Sequence, residues 1–450
     1  MQITIHRGAH EIGGTCIELK TQNTKILLDF GMPLTDGLGS DFDDKKLKNK
    51  SVDGLIKECV LYPIEGLYKD TTPQVNAILI SHSHKDHYGF LRYANPAIPV
   101  YISEGAKKLI DVLNIFVRKE DRYIISNFRI IKDREPFEIG DFKIIPYIVD
   151  HSGFEAMAFH IVDKTNGKSI FYSGDFRATG WKHRLFDKFI SKPPKNIDYL
   201  LMEGTMIDRE EGSYPDEPAV LNKMIQILND TDKNIVFTYC SAQNIDRIVT
   251  FYKAIRETGA LFVIDPYTAC VLNSLKSSHS SIPQFDWKDI MVYMANYFRK
   301  DNGGDIYIKK IDESALKGFI PLLGKRKIKN YDLSRINRKV LMLMRNTMIP
   351  VVGRISGISG SKLVYSQWDG YLRKDDRSAR QFKSFVSKNH LDVEYVHTSG
   401  HAVKGRLMEL AKAVAPKEKI IPVHTKSPES FRQYFGNNVL MLANGKTLEI

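Results

Sequence analysis

The stretch AILISHSHKDHYGF (77–90) places three histidines and one aspartate within six positions at the end of an apolar run. His82 and His84 are two residues apart, so in extended backbone their side chains point the same way. Asp86 and His87 follow where the chain is expected to turn into a helix, and such a loop can aim all four side chains into one cavity. Imidazole and carboxylate groups bind zinc, and also manganese or iron. The spacing therefore predicts a metal site, although a lone histidine is more often structural.

The composition places the chain among ordinary globular proteins. Its 450 residues are enough for two or three domains, and apolar residues make up 43% and charged residues 26%. No apolar run approaches the roughly 18 residues that a membrane span needs. The N-terminal residues lack a continuous apolar stretch, so we expect no secretion and a cytoplasmic location. The four cysteines are widely spaced, without a CxxC pair, which is typical of reduced thiols.

The positive charge is concentrated in one part of the sequence. The chain carries a formal net charge of +12, and residues 301–380 hold 17 Lys and Arg against 8 Asp and Glu. Within them, residues 325–345 contain eight basic residues and one acidic residue. Such a cluster favours a polyanionic partner, although a solvated basic face is the alternative. The candidate nucleic-acid contacts at the start of this stretch are Lys325, Arg326 and Lys327.

The pattern of elements changes twice along the chain. Short apolar strands that end in polar residues fill the first 200 residues or so. From about residue 205, longer helical patterns, such as those at 217–230 and at 244–259, which Gly259 closes, alternate with strands. This alternation indicates a parallel α/β domain. Near residue 390 the first pattern returns. We therefore predict a domain inserted into an interrupted outer domain, with boundaries at 1–205, 206–385 and 386–450.

The H-x-H-x-D-H pattern resembles the metallo-β-lactamase superfamily, and other motifs follow in the order of that family. They are Asp29 in LLDFG, His151 in IVDHSGFEA and Asp175 in FYSGDFR. The resemblance implies an αββα sandwich in which Asp29 orients the metal ligands. It also implies two metal ions, zinc by default with manganese as the alternative, and a catalytic role for Asp86. The implied ligands are His82, His84 and His151 for one metal, Asp86, His87 and His424 for the other, and Asp175 shared between them.

Three further motifs resemble the β-CASP nuclease branch of this superfamily. They are Glu203 in LLMEGTM, His401 in HTSGHA and His424 in IIPVHTKSPE. The resemblance is strongest to ribonuclease J and to the nuclease of eukaryotic pre-mRNA 3′-end processing. It implies that the inserted α/β segment is a β-CASP domain. The sequence runs 26 residues beyond His424, so the resemblance does not include the further C-terminal domain of ribonuclease J. A monomer and a homodimer both remain open.

Residues near the metal ligands are candidates for proton transfer and for phosphate binding. Hydrolysis of a phosphodiester leaves an alkoxide that needs a proton, and His401 is the candidate general acid, with Glu203 to orient it. Glu203 as an ordinary acid at a strand end is the alternative. Ser399 and the amide of Gly400 are candidates to cradle a phosphate, because a Ser-Gly pair before a helix exposes N–H donors.

A second junction between a strand and a helix lies in YCSAQNIDR (239–247). Ser241, Asn244 and Arg247 are candidates there for contacts to a downstream phosphate, and plain helix capping is the alternative.

RNA is the favoured substrate, because the RNA-cleaving branch typically has histidine at the position of His424 and the DNA-repair branch has an aliphatic residue. Single-stranded RNA, cut internally or from the 5′ end, is therefore the predicted substrate. The alternatives are a DNA nuclease, a small-molecule metallo-hydrolase and an inactive RNA-binding paralogue. The basic insert disfavours the small-molecule hydrolase, and the full set of ligands disfavours the inactive paralogue. The sequence indicates no membrane partner.

Overall fold

The computed structural model describes residues 1–36, 40–117, 119–209, 212, 214–278, 281–294, 311, 314, 316, 318–373 and 376–450. The chain divides into two compact units. The first comprises Met1–Ile110, Arg122–Ser213 and Gly400–Ile450, and the second comprises Asp111–Asp121 and Tyr214–Ser399. The predicted domain boundaries stay a prediction, because compact units and family domains need not end at the same residues.

The regular elements follow one another in chain order. The strands are β1 (Gln2–Arg7), β2 (Cys16–Lys20), β3 (Lys25–Leu28), β4 (Ala77–Leu79), β5 (Val100–Ser103), β6 (Phe128–Ile131), β7 (Phe137–Ile139), β8 (Phe142–Ile148), β9 (Met157–Asp163), β10 (Ser169–Tyr172), β11 (Tyr199–Glu203), β12 (Ile235–Tyr239), β13 (Leu261–Ile264), β14 (Ile290–Tyr293), β15 (Lys327–Ile328), β16 (Val340–Met344), β17 (Lys362–Tyr365), β18 (Asp392–Tyr395), β19 (Lys419–Val423) and β20 (Thr447–Glu449). The α-helices are α1 (Val52–Lys57), α2 (Lys85–Tyr88), α3 (Glu104–Phe116), α4 (His183–Ser191), α5 (Glu217–Asp230), α6 (Ile245–Thr258), α7 (Pro266–Ser274), α8 (Phe319–Gly324), α9 (Asn330–Leu333), α10 (Ile349–Val352), α11 (Gly370–Arg373), α12 (Arg377–Lys388), α13 (Lys404–Val414) and α14 (Pro428–Phe435).

The first unit is built on two mixed sheets. One has seven strands in the order β20-β1-β2-β3-β4-β5-β6, and the other has six in the order β19-β11-β10-β9-β8-β7. Apolar side chains of both sheets form one buried cluster, for example Ile17, Leu28 and Phe159. Helices α4, α13 and α14 add apolar side chains to a second cluster on the six-stranded sheet. The six-stranded sheet thus has apolar side chains packed on both of its faces.

The second unit contains a seven-stranded sheet in the order β15-β14-β13-β16-β12-β17-β18. Its strand pairs are all parallel. Helices lie between the strands along the chain, as parallel connections require. The predicted α/β class, with a sandwich and an α/β insert, is therefore confirmed. Among the helices in the described residues, none has the length and apolar character needed to cross a membrane.

Candidate metal centre

The first histidine group lies where β4 ends and the chain turns into helix α2. His82 is completely buried, and its Nε2 lies 3.0 Å from Nδ1 of His84. Nε2 of His151, in the loop after β8, lies 3.2 Å from the same His84 nitrogen. One ligand atom from each of these three imidazoles falls within 4.8 Å of the others, which is close enough to share one metal ion.

The second group combines helix α2 with the end of β19. Asp86 and His87 lie in α2, and His424 directly follows β19. Oδ2 of Asp86 lies 3.7 Å from Nε2 of His87 and 3.7 Å from Nε2 of His424. The structure thus brings together the three residues that the resemblance assigned to a second metal, although their sequence numbers span more than 330 positions.

Asp175 joins the two groups. Its Oδ2 lies 3.0 Å from Nε2 of His87, 3.5 Å from Nε2 of His424 and 3.8 Å from Nε2 of His82. Burial opposes ionisation of this carboxyl group. The imidazoles of His424, His87 and His401 outweigh burial and hold its pKa well below the usual range. Asp175 is therefore a carboxylate placed between two sets of nitrogen atoms.

The hydrogen bonding and the protonation states of the donor atoms suit the binding of metal ions. Nε2 of His424 and Oδ1 of Asp175 are buried and have no hydrogen-bond partner within the described residues. Such groups are costly unless something satisfies them. Burial lowers the pKa of the His82 and His151 imidazoles well below the ordinary value and that of His84 to about 4. Neutral imidazoles and carboxylates are the ligand set of zinc and manganese sites.

Asp29 fixes the orientation of His87. Its Oδ2 lies 2.8 Å from Nδ1 of His87, and it also accepts a hydrogen bond of 2.8 Å from the Tyr172 hydroxyl. The Ser81 amide donates to Oδ1 at 2.7 Å. A carboxylate on Nδ1 leaves Nε2 to face the cavity and increases its basicity. Asp29 itself has φ +59°, a left-handed conformation that this network maintains.

A second orienting contact involves His424. Its Nδ1 lies 2.8 Å from Oγ1 of Thr15, and its amide donates to the Gly8 carbonyl at 2.7 Å. Gly31 has no space for a Cβ, because the carbonyl oxygen of Asp86 occupies that position.

The sequence analysis missed three of these orienting residues, Thr15, Ser81 and Tyr172. The GGT run at 13–15 was the available signal for Thr15, whereas Tyr172 and Ser81 looked like ordinary strand residues.

An ion pair supports the loop that carries His151. Nε of Arg177 lies 3.3 Å from Oδ1 of Asp150, and both side chains are completely buried. The Gly180 amide donates to Oδ2 of Asp150 at 2.8 Å. Asp150 and Arg177 are therefore positioning residues that the sequence analysis also missed. The only signal was their place, each within two residues of a predicted ligand.

Glu203 and His401 lie beside this centre. Glu203 is completely buried at the end of β11, and its two oxygens accept the amides of Thr205 at 2.9 Å and Ala402 at 3.2 Å. Nδ1 of His401 lies 3.4 Å from Oε2 of Glu203 and 3.8 Å from Oδ2 of Asp175. Burial opposes protonation of His401, but these carboxylates raise its pKa to about 9. His401 can also group with Asp175 and His424 around an ion, so the geometry is compatible with a proton donor and with a ligand.

The loop before α13 carries the predicted phosphate cradle. Gly400 packs so closely that a Cβ would lie 2.7 Å from Oγ of Ser152 and 3.4 Å from Cε1 of His151. Ser399 precedes it and is 8% exposed. Gly400 therefore stands against the His151 loop because it lacks a side chain.

The residues after β12 that were predicted to contact a phosphate form contacts within the protein. Arg247 is completely buried, and its Nη2 lies 3.1 Å from Oε1 of Glu217. Asn244 caps helix α6, since its side chain accepts the Arg247 amide at 3.2 Å. The exposed Ser241 accepts the Gln243 amide at 3.2 Å. We therefore correct the assignment of Arg247, since its buried guanidinium is paired with Glu217 and is not available to a phosphate, and Asn244 has the capping role that was the alternative.

The basic candidates are accessible. Lys325 and Lys327 are exposed, and Arg326 is half-buried, with its guanidinium donating to the Asp286 carbonyl. Lys327 is the first residue of β15, the edge strand of the parallel sheet, and Lys325 and Arg326 precede it.

Two family matches cover the parts of the chain that carry this centre. Residues 55–238 match the family described as a beta-lactamase superfamily domain. Residues 389–442 match the family described as a Zn-dependent metallo-hydrolase RNA specificity domain. The chain is thus similar, in two separate segments, to the beta-lactamase superfamily and to Zn-dependent metallo-hydrolases with an RNA specificity domain.

The relatives of this chain are distant in sequence. The chain is 22% identical to the transcription termination factor FttA of Methanothermobacter thermautotrophicus, over 94% of this chain and 66% of that protein. It is 23% identical to ribonuclease J of Helicobacter pylori, over 57% of this chain and 34% of that protein. The chain thus spans less than two thirds of the length of either relative. A crystal structure of a protein of unknown function from Enterococcus faecalis V583 shares the fold, with 21% identity, a TM-score of 0.77 and coverage of 99% of both chains.

Proposed function

We propose that this protein is a metal-dependent ribonuclease that hydrolyses phosphodiester bonds of single-stranded RNA. The observation that carries the proposal is the position of Asp175, whose Oδ2 lies within 3.8 Å of ligand nitrogens from both groups. A carboxylate between two sets of ligands is what a dinuclear hydrolase requires. Zinc is the proposed metal and manganese the alternative, since the family description names zinc.

The side chains divide into ligands and orienting groups. His82, His84 and His151 would hold one ion, and Asp86, His87 and His424 the other, with Asp175 between them. When bound, the ions would activate water near neutral pH and neutralise the charge of the phosphate. Asp29 and Thr15 keep Nε2 of His87 and His424 directed into the cavity.

His401 is the proposed proton donor to the leaving oxygen. Its Nδ1 faces two carboxylates, which stabilise the protonated imidazole. Glu203 holds the neighbouring Ala402 amide as well, so that the loop before α13 keeps His401 beside the centre. Ser399, Gly400 and Ser241 remain proposed contacts to phosphate groups.

Two observations favour RNA over DNA, and a third favours a nucleic-acid substrate of either kind. His424 occupies the motif position that the RNA-cleaving branch fills with histidine. The family described as an RNA specificity domain matches residues 389–442. Residues 214–399, most of the second unit, hold 28 Lys and Arg against 19 Asp and Glu, a net charge of +9. Such a charge favours a polyanion. The cytoplasmic location and the oligomeric state, monomer or homodimer, stay predictions.

The test is incubation of the purified protein with 5′-labelled single-stranded RNA and DNA of one sequence, after removal of metals and with zinc or manganese restored. We expect RNA to be cut and only when metal is restored. A His84→Ala variant should bind less metal and cut nothing. Preferential cutting of DNA would favour the DNA-nuclease alternative. If the wild type cuts RNA at full rate without metal, or if His84→Ala cuts RNA at full rate, the dinuclear mechanism is refuted.

A further inference from the structure

Trp368 is the most exposed of the three tryptophans in the chain. Tryptophan is highly buried on average, yet the Trp368 side chain is 42% exposed, and that of Tyr371 is 47% exposed. The other tryptophans, Trp181 and Trp287, are less exposed. Trp368 and Tyr371 meet edge to face, with ring centroids 5.5 Å apart and an angle of 81° between the planes. This geometry is favourable for an aromatic pair.

The local backbone holds the indole in place. Gly370 lies so close to the Trp368 ring that a Cβ on it would overlap the six-membered part of the indole. Asp369 forms an exposed ion pair with Arg373, across the short helix α11 that contains Tyr371. The rings are thus exposed and also supported, so that a ligand would not have to order them on binding.

The pair lies at the edge of the sheet where α/β proteins bind ligands. Trp368 follows the carboxyl end of β17, three residues after Tyr365. Tyr365 pairs in register with Tyr239 at the end of β12 and with Tyr395 at the end of β18. The side chain of Tyr395 is 62% exposed. Ligands of parallel sheets bind outside the carboxyl ends of the strands.

We propose that Trp368 and Tyr371 form a base-stacking site for single-stranded RNA on the second unit. Aromatic side chains bind single strands without sequence preference, because every base offers a π face, and basic surroundings hold the phosphates. Residues 214–399, which include the pair, carry a net charge of +9, and such a charge favours a polyanion. The site rests on the proposed function, since it needs an RNA substrate. Trp368 is a positioning residue and takes no part in the chemistry.

The test compares Trp368→Ala, Trp368→Phe and Tyr371→Ala with the full-length wild-type protein. The matched control is Phe128→Ala, which removes an aromatic ring that is 39% exposed in the first unit. Binding of a fluorescent oligouridylate to metal-free protein is measured at several salt concentrations. Trp368→Ala should weaken binding by about 5- to 150-fold, the range for loss of one stacked base. The slope of log affinity against log salt should not change, because no charge is lost. Trp368→Phe should restore most of the affinity, and the control should bind like the wild type.

An oligonucleotide with abasic riboses separates stacking from other effects. On it, the wild type and Trp368→Ala should bind alike, because no base remains to stack. Trp368→Ala should unfold in urea with the wild-type midpoint, and this result would show that the variant is folded. If the wild type binds RNA and Trp368→Ala binds it equally well, the stacking site is overturned. The same holds if the variant changes only self-association in sedimentation, since the pair would then be a protein contact. If the wild type itself binds no RNA, the proposed function fails instead, and this inference falls with it.

Discussion

The carboxylate of Glu203 and the imidazole of His401 face each other across 3.4 Å, from Oε2 to Nδ1, although 198 positions separate them in the sequence. The same glutamate accepts the amide of Ala402, the next residue along the chain. One buried carboxylate thus restrains both the ring and the backbone of this loop.

His401→Ala tests whether this histidine delivers a proton. The variant should keep its metal content and its affinity for RNA, while turnover of RNA falls by about 10²- to 10⁴-fold, the contribution of a positioned general acid. On bis(p-nitrophenyl) phosphate, whose leaving group needs little protonation, most of the defect should vanish. Metal content is measured by atomic emission and rates by product formation.

His424→Ala is the matched comparison for that experiment. It removes a proposed ligand from the same part of the first unit, so it should lose metal and remain defective on both substrates. If both variants lose metal and lose activity equally on both substrates, His401 is a ligand or a structural residue.

Asp29→Asn tests the orienting contact on His87. The amide removes the charge that faces Nδ1 at 2.8 Å, so the imidazole becomes a poorer and less well oriented ligand. Metal affinity should fall by about 10- to 100-fold, as is usual for partners of ligating histidines. Competition with a metal-binding dye measures the change. The exposed Asp392→Asn serves as the control, and an unchanged affinity in Asp29→Asn would refute the orienting role.

Neutralisation of the basic stretch tests its contact with phosphates. The triple variant Lys325→Gln, Arg326→Gln and Lys327→Gln should weaken RNA binding and reduce the salt slope by up to about one unit per lost phosphate contact. The control is the exposed cluster Lys45→Gln, Lys46→Gln and Lys48→Gln of the first unit. An unchanged slope in the first variant means that these residues form a solvated face.

Arg247→Ala tests the reassignment of this residue to a structural pair. It leaves the buried Glu217 carboxylate without its partner, and breaking such a pair typically costs about 3–5 kcal/mol of the free energy of unfolding. Urea unfolding measures the change, with the exposed Lys383→Ala as the control. Under conditions where Arg247→Ala is folded, its salt slope for RNA should equal that of the wild type. A lower slope with little loss of stability would restore the phosphate contact.

The sequence by itself determined the local helices and the residues of the metal-binding cluster at 82–87. The helical pattern at 217–230 corresponds to α5 (Glu217–Asp230), and the pattern at 244–259 corresponds to α6, which Gly259 ends with φ +68°. These signals are local, because periodicity, caps and a left-handed glycine depend on neighbours in the chain. His82, His84, Asp86 and His87 could be recognised for the same reason, since their spacing alone aims them together.

Only the tertiary structure decided which distant side chains meet. Thr15 reaches His424 and Tyr172 reaches Asp29 because strands of the two sheets bring their ends to one cavity. Nothing in the local sequence of a threonine or tyrosine at a strand end distinguishes a partner of a metal ligand from a core residue. Arg247 shows the converse case. Its place after a strand resembled a phosphate site, but the fold places Glu217 against it, and burial of a charge requires such a partner.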